Sequence, residues 1–352
     1  MTQLSLKQKP LKYLISTSLC ILFILLFYFN SGFGILGRNL DKIKGITMVA
    51  PPKPFPIDPM NAIKKTNANW VAIIPYAFSR KGKPEVHFEI AGGQWWGETS
   101  EGIRESIQLA KAAGLHIMLK PQVWIHDHWV GNMDFKTEEE WKRWEDDYKK
   151  YILQNVKIAA ELQVDMICIA TEYNIAAVKR EAFFRKLIAE IKSMYSGKLS
   201  YCSTWNNYRD IPFWDDLDYI GISAYFPLID DTTPTIEQLT VEWQKIIREL
   251  ESFSEKTKKK ILFTEFGYLS VDGCAGKTWE IENQIESRQI NHIAQANAYE
   301  ALFSSFWEEG WWAGGFVWKW FPNGEGHEGY PEKDYTPQGK NAEHVLTKWY
   351  GR

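Results

Sequence analysis

Two stretches decide how this chain reads: Ile167-Cys168-Ile169-Ala170-Thr171-Glu172-Tyr173-Asn174 and Ile261-Leu262-Phe263-Thr264-Glu265-Phe266-Gly267-Tyr268. Each is a buried-looking apolar strand that ends in a glutamate beside aromatic residues. A carboxylate at the tip of a hydrophobic strand loses hydration, which is unfavourable unless the charge is paired or put to use. Outward from these two, strand-like segments recur at 43–50, 70–78, 116–124, 164–172, 198–205, 218–226, 260–268 and 312–321. Helical patterns separate most of them: Ser100–Ala113 before Gly114, Glu138–Leu162, Glu181–Tyr195 before Gly197, Ile236–Thr257, Ile285–Glu309 and Gly339–Tyr350. The connections after the first and fifth strands are less plainly helical. Eight strands alternating with helices imply parallel pairing through crossovers, so the expected fold is α/β, a single (β/α)8 barrel. The alternative is a doubly wound open sheet. Against it, Gly45-Ile46-Thr47-Met48-Val49-Ala50-Pro51-Pro52 holds no glycine-rich phosphate cradle.

The chain has 352 residues and a net charge of −3, with no long basic tract, which gives no electrostatic case for nucleic acid. Its four cysteines, Cys20, Cys168, Cys202 and Cys274, show neither a disulfide framework nor a CxxC pair. Trp is the compositional outlier, with 17 residues beside 16 Tyr and 19 Phe. Aromatic faces stack on pyranose rings, and they also fill large cores. At the N-terminus Lys7, Lys9 and Lys12 precede an apolar run from Tyr13 to Phe29. No clear small-residue cleavage site follows it. The run reads as a transmembrane signal-anchor or uncleaved export segment over 1–35, with the barrel over 36–352. The folded part is then expected outside the cytoplasm, membrane-anchored, periplasmic or extracellular, as a monomer.

In a barrel the active site gathers at the C-terminal ends of the strands. Those ends carry Tyr76; Gln122, Trp124 and His126; Glu172 and Asn174; Trp205 and Asn206; Tyr225; Glu265 and Tyr268; Trp318 and Trp320. Two carboxylates from the fourth and seventh strands would flank a glycosidic bond, about 5–5.5 Å apart in the retaining geometry. The alternative is a structural ion pair with Lys120 or Lys319. Side-chain alternation places Ala170, Cys168, Met166 and Val164 inside with Glu172, and Phe263 and Ile261 inside with Glu265. Tyr225 would hydrogen-bond Glu265. Trp318 would be the floor under a sugar, and Trp320 and Trp124 have the same reading. His126 would donate to a sugar hydroxyl; with His128 it would instead suit a metal-dependent hydrolase, although no metal site is expected. Glu98 and other loop acids read as solvated.

These residues resemble glycoside hydrolase family 113, the β-1,4-mannanases of the clan A glycoside hydrolases, over about residues 42–350. The matching strings are Gly45-Ile46-Thr47, Lys120-Pro121-Gln122 with Trp124, Thr171-Glu172, Ser223-Ala224-Tyr225-Phe226-Pro227, Thr264-Glu265-Phe266-Gly267-Tyr268, Trp318-Lys319-Trp320 and Tyr335-Thr336-Pro337-Gln338-Gly339-Lys340. The resemblance implies a cofactor-free retaining hydrolase of mannan-type polysaccharides or oligosaccharides. It makes Glu172 the general acid/base, Glu265 the nucleophile, Tyr225 its support and Trp318 the stacking platform. Many clan members carry Asn before the acid/base; Thr171 stands there, which leaves Asn174 and Asn206 as candidates for the substrate 2-hydroxyl. Lys120 and Trp205 join the candidate substrate contacts. Another β-glycan such as glucan, or an inactive carbohydrate-binding barrel, are the other readings.

Overall fold

The computed structural model describes residues 42–90, 93–323 and 331–352. The expected membrane segment and its linker fall outside them. Among the described residues no helix is long and apolar enough to cross a membrane. Residues Lys42–Arg352 make one compact unit.

All eight expected strands form, as β1 (Ile43–Met48), β2 (Trp70–Ile73), β3 (His116–Leu119), β4 (Met166–Thr171), β5 (Lys198–Thr204), β6 (Tyr219–Ser223), β7 (Ile261–Phe266) and β8 (Trp312–Trp320). They close in the order β1-β8-β7-β6-β5-β4-β3-β2, all parallel. Strands two and three are shorter than the 70–78 and 116–124 expected. Each is interrupted by a proline, Pro75 and Pro121, which has no N–H for the ladder. Beyond the prolines the chain resumes as a separate parallel pair, Tyr76–Ser79 with Gln122–Ile125, which rises above the mouth between β2 and β3. The Pro75 carbonyl accepts from Gln122 N at 2.9 Å and from the Tyr151 hydroxyl at 2.8 Å, so the break is pinned.

Helices cover the barrel where their caps start them. Thr137 and Thr235 head Glu138–Glu161 and Ile236–Thr257, each accepting the backbone N–H three residues on, from Glu140 and Gln238. The expected helix 285–309 begins only at His292. Asn291 caps it, accepting from Ala294 N at 2.9 Å, and the residues before it belong to the loop after β7.

The barrel interior is filled by Ile43, Ala72, Met118, Met166, Cys168, Cys202, Leu262, Ala313 and Phe316. A Cβ at Gly45 would lie 2.3 Å from the Phe316 ring, so only glycine leaves room for that plug. The larger core lies between strands and helices and holds Ile261, Phe263 and Phe266. Phe263 meets Phe306 at 5.1 Å and Phe266 meets Phe303 at 5.8 Å between ring centres. This corrects the alternation expected from sequence. Ile261 and Phe263 face the helices, and Leu262 is the interior residue.

Glu265 nevertheless faces the barrel interior because β7 carries one extra residue. Against β6, Ile222 pairs with Phe263 but Ser223 pairs with Glu265, so Thr264 is the insertion. In β4 the same thing happens: Cys168 pairs with Ser200 and Thr171 with Cys202. Ala170 is turned to the outer core, where Val164 also lies, against the expected alternation. Glu172 then leaves the strand with φ +58°, a left-handed backbone that costs a non-glycine residue about 1–3 kcal/mol and persists where its surroundings fix it. Its N–H donates to the Cys202 carbonyl at 2.7 Å and its carbonyl accepts from Asn174 N at 2.8 Å.

Candidate active site

Glu265 is buried at the end of β7 and its carboxylate is held on both oxygens. Oε1 takes the Lys120 ammonium in a buried ion pair and has Gln122 Nε2 at 3.4 Å. Oε2 accepts from the Tyr225 hydroxyl at 3.2 Å and has Ser223 Oγ at 3.5 Å. Lys120 follows β3 at the Pro121 break and is wholly buried. Burial alone would lower its pKa, but the Glu265 carboxylate reverses this and holds it above the ordinary lysine value. Lys120 therefore keeps its proton beside Glu265. Lys120 supports the carboxylate and is too deep to meet a sugar, which corrects its place among the substrate contacts. The alternative ion-pair reading of Glu265 is thus realised with Lys120, in the same site. Burial, then the charge of Glu265, pushes the Tyr225 phenol well above its usual range, so it stays protonated and donates.

Glu172 is half-buried and differently placed. Its Oε2 accepts from the indole N–H of Trp129 at 2.8 Å. Burial raises its pKa, and the nearby charge of Glu265 raises it further; hydrogen bonds from Ser223 and Trp129 and the charge of Lys120 oppose this. Ser223 is thus within reach of both carboxyls. Two acids at one end of the barrel are held in opposite electrostatic conditions, one paired with a cation and one inclined to keep its proton.

Trp129 was not singled out in the sequence, although an indole in the loop after the third strand was there to be noticed. It lies in His126-Asp127-His128-Trp129, where Asp127 has φ +52° and Ile125 bridges His128 in a tight turn. Gly131 lies beneath the ring: a Cβ there would be 2.3 Å from it.

The other candidates spread around the mouth. The Thr204 hydroxyl lies 3.1 Å from Asn174 Oδ1 and 2.8 Å from Asn206 Oδ1, which joins both asparagines beside Glu172. Trp318 is half-buried, with the Lys120 ammonium 5.6 Å and the Lys319 ammonium 5.7 Å from its ring centre. Trp124 is exposed on the extension above β3, edge-on to Phe78 at 6.2 Å and 5.3 Å from His126. His126 is exposed with its Nε2 3.1 Å from Asp127 Oδ2, at the outer end of that row. Trp205 stacks on Trp279 at 5.9 Å. Trp320 is 3 % exposed within the outer core, which corrects its reading as a sugar contact. Glu98 is buried rather than solvated, and burial lifts its pKa to about 7. Among the described residues no group of three His, Cys, Asp or Glu side chains is placed to hold a metal ion. Of the loop acids after β8, Glu325 and Glu328, with His327, lie outside the described residues.

The model of Glycoside Hydrolase Family 113 matches residues 54–340. The chain belongs to glycoside hydrolase family 113. It is a glycoside hydrolase. The family 113 β-mannanase AaManA from Alicyclobacillus acidocaldarius, solved in complex with ManMIm, superposes with a TM-score of 0.76 at 25% identity, covering 88% of this chain and 97% of that one. A second family 113 β-1,4-mannanase complex gives 0.74 at 26% identity, covering 88% and 99%. The β-glucuronidase of Ruminococcus gnavus shares the barrel alone, with a TM-score of 0.59 at 15% identity over 88% of this chain and 50% of that one. No curated protein sequence matches the chain.

Proposed function

We propose that this glycoside hydrolase cleaves β-1,4-linked mannan-type polysaccharides or oligosaccharides by a retaining double displacement, with Glu265 as nucleophile and Glu172 as general acid/base. The observation that carries the reading is the contrast between the two carboxyls. Glu265 is ion-paired with Lys120, and Glu172 has its proton affinity raised. Two neighbouring acids in such unlike surroundings are suited to unlike roles. A Glu265 oxygen would attack the anomeric carbon as the glycosidic C–O bond breaks, and Glu172 would give its proton to the leaving oxygen. Water would then lose a proton to Glu172 and attack the same carbon, releasing the Glu265 carboxylate. Tyr225 and Lys120 hold the nucleophile. Trp318 is suited to lie under the sugar being cleaved, with Asn174 and Asn206 near its hydroxyls. Mannan as substrate is supported by the two solved family 113 relatives, both described as β-mannanases.

Reducing-sugar release from β-mannan, glucomannan, cellulose and xylan, with Glu265→Ala as control, tests substrate and nucleophile together. Release from mannans that disappears in the variant is expected. Release from cellulose or xylan alone would discard the mannan reading. Proton NMR of the first product anomer separates retention from inversion. We also propose that the basic-then-apolar start, Lys7 to Phe29, anchors an exported enzyme, which membrane fractionation of the full chain would check.

A further inference from the structure

We propose that Trp205 and Trp279 form a distal platform for the apolar face of a pyranose in a bound glycan chain, at the edge of the mouth across from the Phe78–Trp124 row. This rests on the glycan-hydrolase reading of the site. Trp205 follows β5 directly, next to the Thr204 hydroxyl that joins Asn174 and Asn206. One neighbour of its ring is Phe226, at 5.9 Å. Another is Trp279, at 5.9 Å and 11° from parallel. Trp279 comes from the loop after β7 and is 43 % exposed. β5 and β7 flank β6, which stands opposite β2 in the eight-strand ring. The stacked pair and the Phe78–Trp124 row therefore follow strands on opposite sides of the barrel ring, with Trp205 packed at its inner end against the outer core.

Single exposed apolar side chains are common and need no explanation. Trp279 differs in being presented on a rigid support. The loop that carries it is tied down by a bridge between Val271 and Ile290, by Asn291 Nδ2 donating to Asp272 Oδ1 at 2.7 Å, and by buried Val271 and Ile281. Its short helix, Thr278–Glu282, is also linked to the site. Tyr335 donates to Glu282 at 2.7 Å, its ring is 5.8 Å from that of Tyr225, and Tyr225 donates to Glu265. A preorganised indole loses little conformational entropy when a sugar stacks on it. Large exposed aromatic faces beside convergent polar groups suit a ligand that is apolar on its ring faces and polar around its edge.

The test compares the wild-type chain with Trp279→Ala on β-1,4-mannohexaose and on the shortest manno-oligosaccharide that the wild type turns over. Trp279 is exposed, so the variant is expected to fold, which its melting temperature checks. The platform predicts a loss of about five- to tenfold in kcat/KM on the hexasaccharide, carried by KM, with the short substrate changed less than twofold. Trp279→Tyr should recover much of it. An equal loss on both substrates, or none on either, overturns the platform. If the wild type hydrolyses neither, the function reading falls, and calorimetric titration with mannohexaose decides the platform separately. Binding weakened about five- to tenfold by Trp279→Ala supports it; unchanged or undetectable wild-type binding overturns it.

Discussion

The indole N–H of Trp129 donates to Oε2 of Glu172 at 2.8 Å, so an exposed loop residue acts on the acid whose proton the proposed mechanism needs. That bond favours the carboxylate and so opposes the burial and the Glu265 charge that raise the Glu172 pKa. Removing it should raise that pKa further. Glu172 must be protonated for the first step, so the alkaline limb of the kcat/KM profile should move up in Trp129→Phe. A charge-assisted hydrogen bond of about 1.5 kcal/mol corresponds to roughly one pH unit. An unmoved limb in an active variant would show that the bond does not tune the acid. Gly131→Ala should behave similarly, since a Cβ there would displace the ring.

The two glutamates should respond differently to leaving-group quality. Glu172→Ala should lose about 10²–10⁴-fold on native glycan, the usual worth of a positioned acid/base. On aryl glycosides with good leaving groups, its first step should be nearly intact and appear as a burst. Glu265→Ala should be inactive on all of them. Equal losses on every substrate for Glu172→Ala would overturn the role given to it.

Lys120 is fully buried against Glu265. Lys120→Met would leave the carboxylate uncompensated, an arrangement that costs about 3–5 kcal/mol. A lower urea midpoint with turnover reduced together is the expected result. A variant with unchanged stability and turnover would show that the ion pair is dispensable.

Glu98 offers a check on stability away from the acid pair. Its folded carboxyl takes its proton near pH 7 because burial disfavours the charge, while the Trp95 N–H that donates to it pulls the other way. The unfolded chain ionises at the ordinary value of 4.5. Between those values the folded state holds more protons, so stability falls as pH rises through the window and stays lower above it. Glu98→Gln removes that loss and can still accept from Trp95. It should gain at most about 3 kcal/mol over wild type at pH 8 and nothing at pH 4, by thermal melts at both.

The barrel was legible because each strand and most helices carry their own pattern, and Glu172 and Glu265 were legible because acids at apolar strand tips are rare. The parts that were not legible depend on register and on contacts distant in sequence. Alternation pointed Phe263 inward, but register is set by pairing with β6 and β8, and one extra residue in β7 reverses it. Trp320 has the same local sequence character as Trp318, and only packing against helices separates them. Lys120 looked like a strand-end polar residue. Its partner lies 145 positions away, which no local pattern reveals.

The insertions in β4 and β7 also separate folding from chemistry. If Thr264 instead stood opposite Ser223 and β7 paired regularly, the outer aromatic packing of Phe263 would stay largely in place, while alternation would turn Glu265 toward the helices, away from the groups that hold it. A chain of the same length whose β7 paired that way would still be a barrel to any probe of shape or stability. It would be a silent relative, and only the step between two neighbouring strands would tell it from an enzyme.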